Sequence, residues 1–503
     1  MTKRTKLRSA PLRHLSLDQV RCPPVLVEGL LLLGLTCVAA VVFGRSLHAG
    51  AVYDEGVYLA SLDALAHGQK LGSEVFASQP PGFYLLLEAE RAVFGGSVVA
   101  IRVAMLVLAL IGCVSAYYIG RCLAGPPGGF FTMACLVTPL GVEEEAVRVR
   151  ADFPSLALSL IAVAVALAAV KRGGAARLVA AALAGGALTA AVSVKLLAAT
   201  AVIPVLAIVL RRPARRTVLA FGAGVGAVAA TLLGLYAGVL GPLWADVVRF
   251  HLSTQSASIR AAPTSLAGNV AKVEGALTDF QGLRSPFLWL VLVGGLVTLL
   301  AWRRHRLLGA APLWLWAACA GVFLIWHRPL WTHDVAALTV SLAVAGGVGL
   351  AALLVEPLLV STAVAAACVV VIAASIAHHI QRTSAGESAG ITWAAAVLRT
   401  RTHTGSEVAS DLPIIPFLAD RRQPDTLVDT SSTRIGSGWL TRSQILTSIE
   451  RSRVSAVVVG NNFALDPKLV QAIHSRFPLV LSRDGVRIPG QKRRVALRIY
   501  LPA

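Results

Sequence analysis

The chain has 503 residues, 56% of them apolar and 14% charged, with a formal net charge of +20 and a mean hydropathy of +0.71. Repeated apolar stretches of span length place it in the polytopic helical membrane class and exclude a soluble multi-domain protein. The placement of the basic excess argues against nucleic acid as a partner. The excess sits in short clusters between apolar runs, KRGGAAR at 171–177, RRPARR at 211–216 and WRRHR at 302–306, the pattern of Lys and Arg held on the cytoplasmic face.

In chain order, the basic stretch 1–24 reads as a cytoplasmic N-terminus. The apolar run 25–43 follows without a small-residue cleavage site, so it reads as an uncleaved first span. With the basic clusters inside, the runs alternate. Residues 44–97 form a long external loop, 98–120 return, and 128–141 lead out to the polar stretch 143–152. Residues 153–170 come back. The run 178–210 exceeds one span at about 1.5 Å per residue across a core of about 30 Å, so it reads as two short spans turning near Lys195. Residues 217–240 go out to a second external loop at 241–285. Then 286–301, 311–326, 333–355 and 358–377 complete about eleven spans, with the N-terminus inside and the C-terminus outside. GAGVGA at 222–227 permits close helix packing.

Cys37, Cys113, Cys135, Cys319 and Cys368 lie inside apolar runs, which predicts free thiols. From 378 to 503 the texture becomes a soluble α/β pattern, an extracytoplasmic domain at the predicted orientation. EVASDL and SAVVVG read as buried strands, PIIPFLADRR and TRSQILTSIERS as amphipathic helices, and VALRIYLP as a closing strand.

The external face gathers the chemistry-bearing residues. VYDEGVY at 52–58 sets Asp54 and Glu55 side by side near the bilayer, where carboxylates are costly and usually functional; the plainer reading is a solvated loop and helix start. QPPG at 79–82 biases the chain to extended conformations and starts the amphipathic segment FYLLLEAERAVF. Glu143, Glu144 and Glu145 read as a solvated face, and Arg150 with Asp152 as either a site or a structural ion pair. Lys195, lone between two apolar halves, reads as functional. His333 and Asp334 open a span, where capping is the plainer role. Arg249, His251, Gln255 and Arg260 in the second external loop are candidates for acceptor choice.

These features in this order resemble the GT-C fold glycosyltransferases, particularly bacterial relatives of the protein O-mannosyltransferases and of the aminoarabinose transferase that modifies lipid A. The resemblance is carried by Asp54 and Glu55; by Pro80 and Pro81 followed by Phe83 and Tyr84; by Arg102; by Arg150, Asp152 and Pro154; and by Lys195. It implies a sugar taken from a polyprenyl-phosphate donor and transferred with inversion to a hydroxyl on a lipid, protein or polysaccharide acceptor. Asp54 would then be the general base, with Glu55 assisting. Arg102, Arg150, Asp152, Lys195, Gln79, Tyr84 and His333 would bind substrate, with Lys195 and Arg150 meeting the lipid phosphate. Gln79 stands where the lipid A relatives carry Lys. No metal site is legible, so the expectation is no obligatory metal, although a divalent ion would be compatible with the fold. A transporter or lipid flippase, or an envelope scaffold, is the alternative class. Acidic residues gathered at the outer ends, without repeated halves, speak against transport.

Overall fold

The computed structural model describes residues 25–503 except 212–213, 255–264, 280, 304–307, 355–358, 383–384 and 490–493. The N-terminal basic stretch, Gln255 and Arg260 therefore lie outside the described residues. Each apolar segment read from the sequence is helical over most of its length. Among the described residues, seven helices are long and apolar enough to cross a membrane, an eighth if the pair bent by 96° at Leu266–Arg284 and Pro286–Ala301 is one span; Leu196–Val209 and Ala311–Trp326 are shorter apolar helices. The chain is a multi-pass membrane protein.

Small residues set the packing. The element Val98–Val137 breaks at Ala124 (φ −138°) and Gly125 (φ 71°), ahead of Pro126 and Pro127. Its two arms then fold back closely enough that a Cβ on Gly120 would lie 2.2 Å from the Gly128 carbonyl oxygen. Within GAGVGA, a Cβ on Gly224 would lie 1.8 Å from the Ala182 carbonyl oxygen, so helices Gly174–Val194 and Arg215–Leu235 touch backbone to backbone. Gly222 and Gly226 face open space, so Gly224 is the member of that run that makes the contact.

At one end of the bundle lie the helices Tyr53–Ala66 and Pro81–Phe94. Pro80 precedes the second helix and Pro81 opens it, as the missing N–H of Pro allows. Glu88 on this helix is exposed, whereas Glu90 is 7% exposed and its Oε2 has no hydrogen-bond partner. The segment expected to lie along the membrane surface thus turns one of its acids inward.

The C-terminal domain docks on this same end. Its sheet has the order β1 (Val408–Ser410), β2 (Ala456–Val459), β4 (Arg494–Leu501), β3 (Leu479–Arg487), with β1 and β2 parallel and the other pairs antiparallel. The Gly50 amide donates to the Ala385 carbonyl (2.9 Å) and the Ala51 amide to Glu387 Oε2 (3.0 Å). A Cβ on Gly56 would lie 2.6 Å from the Ile414 nitrogen, so helix Ile414–Leu418 rests directly on helix Tyr53–Ala66.

Candidate active site

The adjacent carboxylates Asp54 and Glu55 fall in the first turn of helix Tyr53–Ala66, where the helix dipole favours negative charge. They point to different surroundings. Glu55 is fully buried, and its two oxygens accept from Arg102 Nε (2.9 Å) and Nη2 (2.7 Å), Arg148 Nη1 (2.8 Å), the Val149 amide (3.0 Å) and the Val52 amide (3.1 Å). Burial opposes its charge, yet Arg102 and Arg148 hold its carboxyl down at about 2.

Arg102 is equally enclosed, its Nη1 donating to the Leu47 (2.9 Å) and Ala49 (2.6 Å) carbonyls. Glu55 and Arg102, expected to assist catalysis and to bind substrate, thus form a buried floor under the turn that carries Asp54, with the carboxylate filled by protein donors.

Asp54 is the rim. Its side chain is 33% exposed, and Arg150 Nη2 lies 2.9 Å from its Oδ2. Arg150 reaches Glu145 Oε1 with Nη1 (2.7 Å), while its Nε is buried without a hydrogen-bond partner, as is Glu145 Oε2. Burial pushes the Glu145 carboxyl up in spite of Arg150. Of Glu143, Glu144 and Glu145, only Glu144 is exposed, so the predicted solvated face is wrong for the other two: Glu143 Oε2 stands 2.8 Å from His379 Nδ1. Nor do Arg150 and Asp152 pair with each other.

Asp152 belongs to a third cluster. Helix Gly174–Val194 ends at Lys195, whose extended backbone (φ −150°) makes the expected turn before the short apolar segment Leu196–Val209. The Lys195 ammonium contacts Asp152 Oδ1 and lies 2.7 Å from Asp334 Oδ1. Asp334 also caps its own turn, accepting from the Trp331 amide (2.9 Å), so the capping reading of this residue holds alongside the ionic one. His333 Nε2 is 3.9 Å from the same Asp334 oxygen.

Around this cluster, Lys272 donates to the Leu330 carbonyl (2.8 Å) and lies 5.3 Å from the Trp331 ring centroid. No carboxylate pairs with Lys272 among the described residues. His251 is pushed down to about 4 by burial and is neutral near pH 7. Gln79 donates to the Tyr58 hydroxyl (3.1 Å), and Tyr84 is fully buried.

Asp152, His333 and Asp334 offer ligand atoms within 4.8 Å of one another, a spacing that suits a divalent ion. The donor set does not fit a resident metal as it stands, because the Lys195 ammonium already lies on both carboxylates.

The family model for dolichyl-phosphate-mannose-protein mannosyltransferase matches residues 78–237, a stretch holding Gln79, Tyr84, Arg102, Arg150, Asp152 and Lys195. ArnT from Cupriavidus metallidurans bound to undecaprenyl phosphate superposes with a TM-score of 0.64 at 16% identity, covering 93% of this chain and 97% of that one. The chain has the GT-C fold. ArnT of the same organism in the apo state gives 0.64 at 15% identity, with 94% and 98% covered. The Archaeoglobus fulgidus oligosaccharyltransferase in complex with zinc and sulfate gives 0.53 at 12% identity, with 85% and 67% covered. No curated protein sequence matches the chain. Within this GT-C frame, Asp54, Glu55 and His333 lie outside the stretch matched by the family model.

Neither Glu145 nor Lys272 was singled out as a site residue from the sequence. Glu145 was masked by its two acidic neighbours. Lys272 lies in a stretch whose pattern gives no reason to bring it to Leu330 and Trp331.

Proposed function

We propose that the chain is a membrane glycosyltransferase that moves a sugar from a polyprenyl-phosphate donor to a hydroxyl acceptor with inversion. The observation that carries this reading is Asp54: a carboxylate partly open to solvent, oriented by Arg150, on a turn fixed by the buried Glu55. A general base needs this combination of reach and fixed geometry.

In this reading the acceptor hydroxyl gives its proton to Asp54 as its oxygen bonds to the sugar's anomeric carbon. The bond from that carbon to the phosphate oxygen breaks, and its electron pair leaves with the lipid phosphate. The growing charge is met by cations preorganised in a water-poor site, an arrangement worth several kcal/mol, roughly. Lys195 shares its charge between two carboxylates, so it holds Asp152 and Asp334 in place as much as it faces a phosphate. Lys272, without an acidic partner among the described residues, is the better candidate for the phosphate itself. No step is assigned to a metal.

Lys171 ends the helix that Asp152 begins, and Arg215 and Arg216 open helix Arg215–Leu235, which supports a cytoplasmic N-terminus and an extracytoplasmic site and C-terminal domain. The test is incubation of the full chain in nanodiscs with a panel of labelled undecaprenyl-phosphate sugars and a cell-envelope extract. Label moved from one donor to an acceptor in the extract is expected. Binding and consumption of no donor in the panel contradicts the reading.

A further inference from the structure

The C-terminal domain is built as an open α/β layer, and such layers bind ligands outside the carboxyl ends of their strands. Here the parallel pair β1 and β2 ends next to Tyr53, the residue before Asp54. The Tyr53 and Thr430 hydroxyls are 3.2 Å apart, and Thr430 Oγ1 in turn donates to the carbonyl of Ser410, the last residue of β1 (3.4 Å).

The loop that follows β2 is held by Asp411, which accepts from the amides of Gly460 (2.9 Å), Asn461 (2.8 Å) and Phe463 (2.8 Å). Asn462 Nδ2 then donates to the Thr430 carbonyl (2.8 Å), tying the two strand-end loops together. Asp429 accepts from the Ser431 amide (2.8 Å), and burial pushes its carboxyl up, as does the neighbouring Asp54 charge. On the outer side, Arg434 lies 4.2 Å from the Phe76 ring centroid and donates to the Asp429 carbonyl (2.8 Å), joining this turn to the first loop.

We propose that the C-terminal domain forms the acceptor side of the active site, with Tyr53 and Thr430 as positioning residues that set the Asp54 turn against the carboxyl ends of β1 and β2. This deepens the glycosyltransferase reading and rests on Asp54 being the base. The acceptor hydroxyl then reaches the exposed part of Asp54 from the side of the C-terminal domain. A domain that merely covered the membrane end would need no hydrogen bond at this residue, since Gly50, Ala51 and Gly56 already fasten it.

The test uses the full chain in nanodiscs, an undecaprenyl-phosphate sugar that the wild type consumes, and envelope extract as acceptor source. It reads acceptor-linked label, sugar released to water, and donor binding. Thr430→Val and Tyr53→Phe are each expected to lower acceptor transfer about tenfold, the scale of one lost hydrogen bond. The loss should appear as a higher acceptor requirement and a larger share of sugar released to water, with donor binding unchanged. Thr430→Ser, which keeps the hydroxyl, should restore transfer. Wild-type partitioning in Thr430→Val and Tyr53→Phe overturns the inference while leaving the glycosyltransferase reading intact. So does loss of donor binding alongside transfer, since that marks a purely structural role. A wild type that consumes no donor overturns both.

Discussion

Glu55 and Asp54 are neighbours in the chain and opposites in the molecule. Glu55 has five protein donors on two oxygens and no exposure, whereas Asp54 has one ion pair and a third of its side chain open. The first is bound so completely that it cannot take a substrate proton without breaking the fold around it. The second is held just firmly enough to be aimed. A site built this way separates the work of holding from the work of reacting.

The largest effect should come from breaking the floor. Glu55→Gln leaves Arg102, with a side chain 2% exposed, and Arg148 without their counter-charge. Removing one partner of a buried ion pair costs about 3–5 kcal/mol, so thermal unfolding in detergent should show a large loss of stability or no folded protein. Asp54→Asn loses one partly exposed pair and should stay within about 1 kcal/mol of wild type in the same assay. Equal stabilities for the two variants would erase the contrast.

The floor should also carry a pH signature. The Glu55 carboxyl drops from its ordinary 4.5 to about 2 in the fold, so its contribution is complete above pH 4.5 and is lost as pH falls toward 2.

Glu90 should give a smaller effect of the opposite sign. Burial pushes its carboxyl from 4.5 up to about 8. The folded protein therefore keeps a proton that the unfolded chain releases, and this contribution is complete below pH 4.5 and lost as pH rises through 8. Glu90→Gln should unfold like wild type at pH 5 and at a higher temperature than wild type at pH 9. A wild-type pH slope in the variant would show that Glu90 is not the group responsible.

Much of the architecture was legible because it is written locally. Apolar run length gave the helices, and the lone Lys195 marked a turn. In the C-terminal domain β1 and β2 were readable as buried strands and β4 as a closing strand. β3 was not, because as an edge strand it is mostly exposed and has no clean alternation. The helices Ala389–Arg401 and Pro467–Arg476 were missed as well.

The division of labour between Asp54 and Glu55 was not legible. It depends on Arg102 and Arg148, 47 and 93 residues away from Glu55, and nothing in one sequence pairs charges at that distance. Glu145 was hidden for the same reason, its partner Arg150 being accompanied by other candidates until the fold chose among them.

The account turns on Asp54 acting as the base, and the most direct test is a single-turnover transfer assay on Asp54→Asn in nanodiscs. The same preparation is checked for donor binding and for thermal stability. Asn keeps the size and removes the proton acceptor, so transfer should fall by about 10² to 10⁴ while donor binding and folding are retained. Transfer at the wild-type rate by a folded, donor-binding Asp54→Asn would contradict the account.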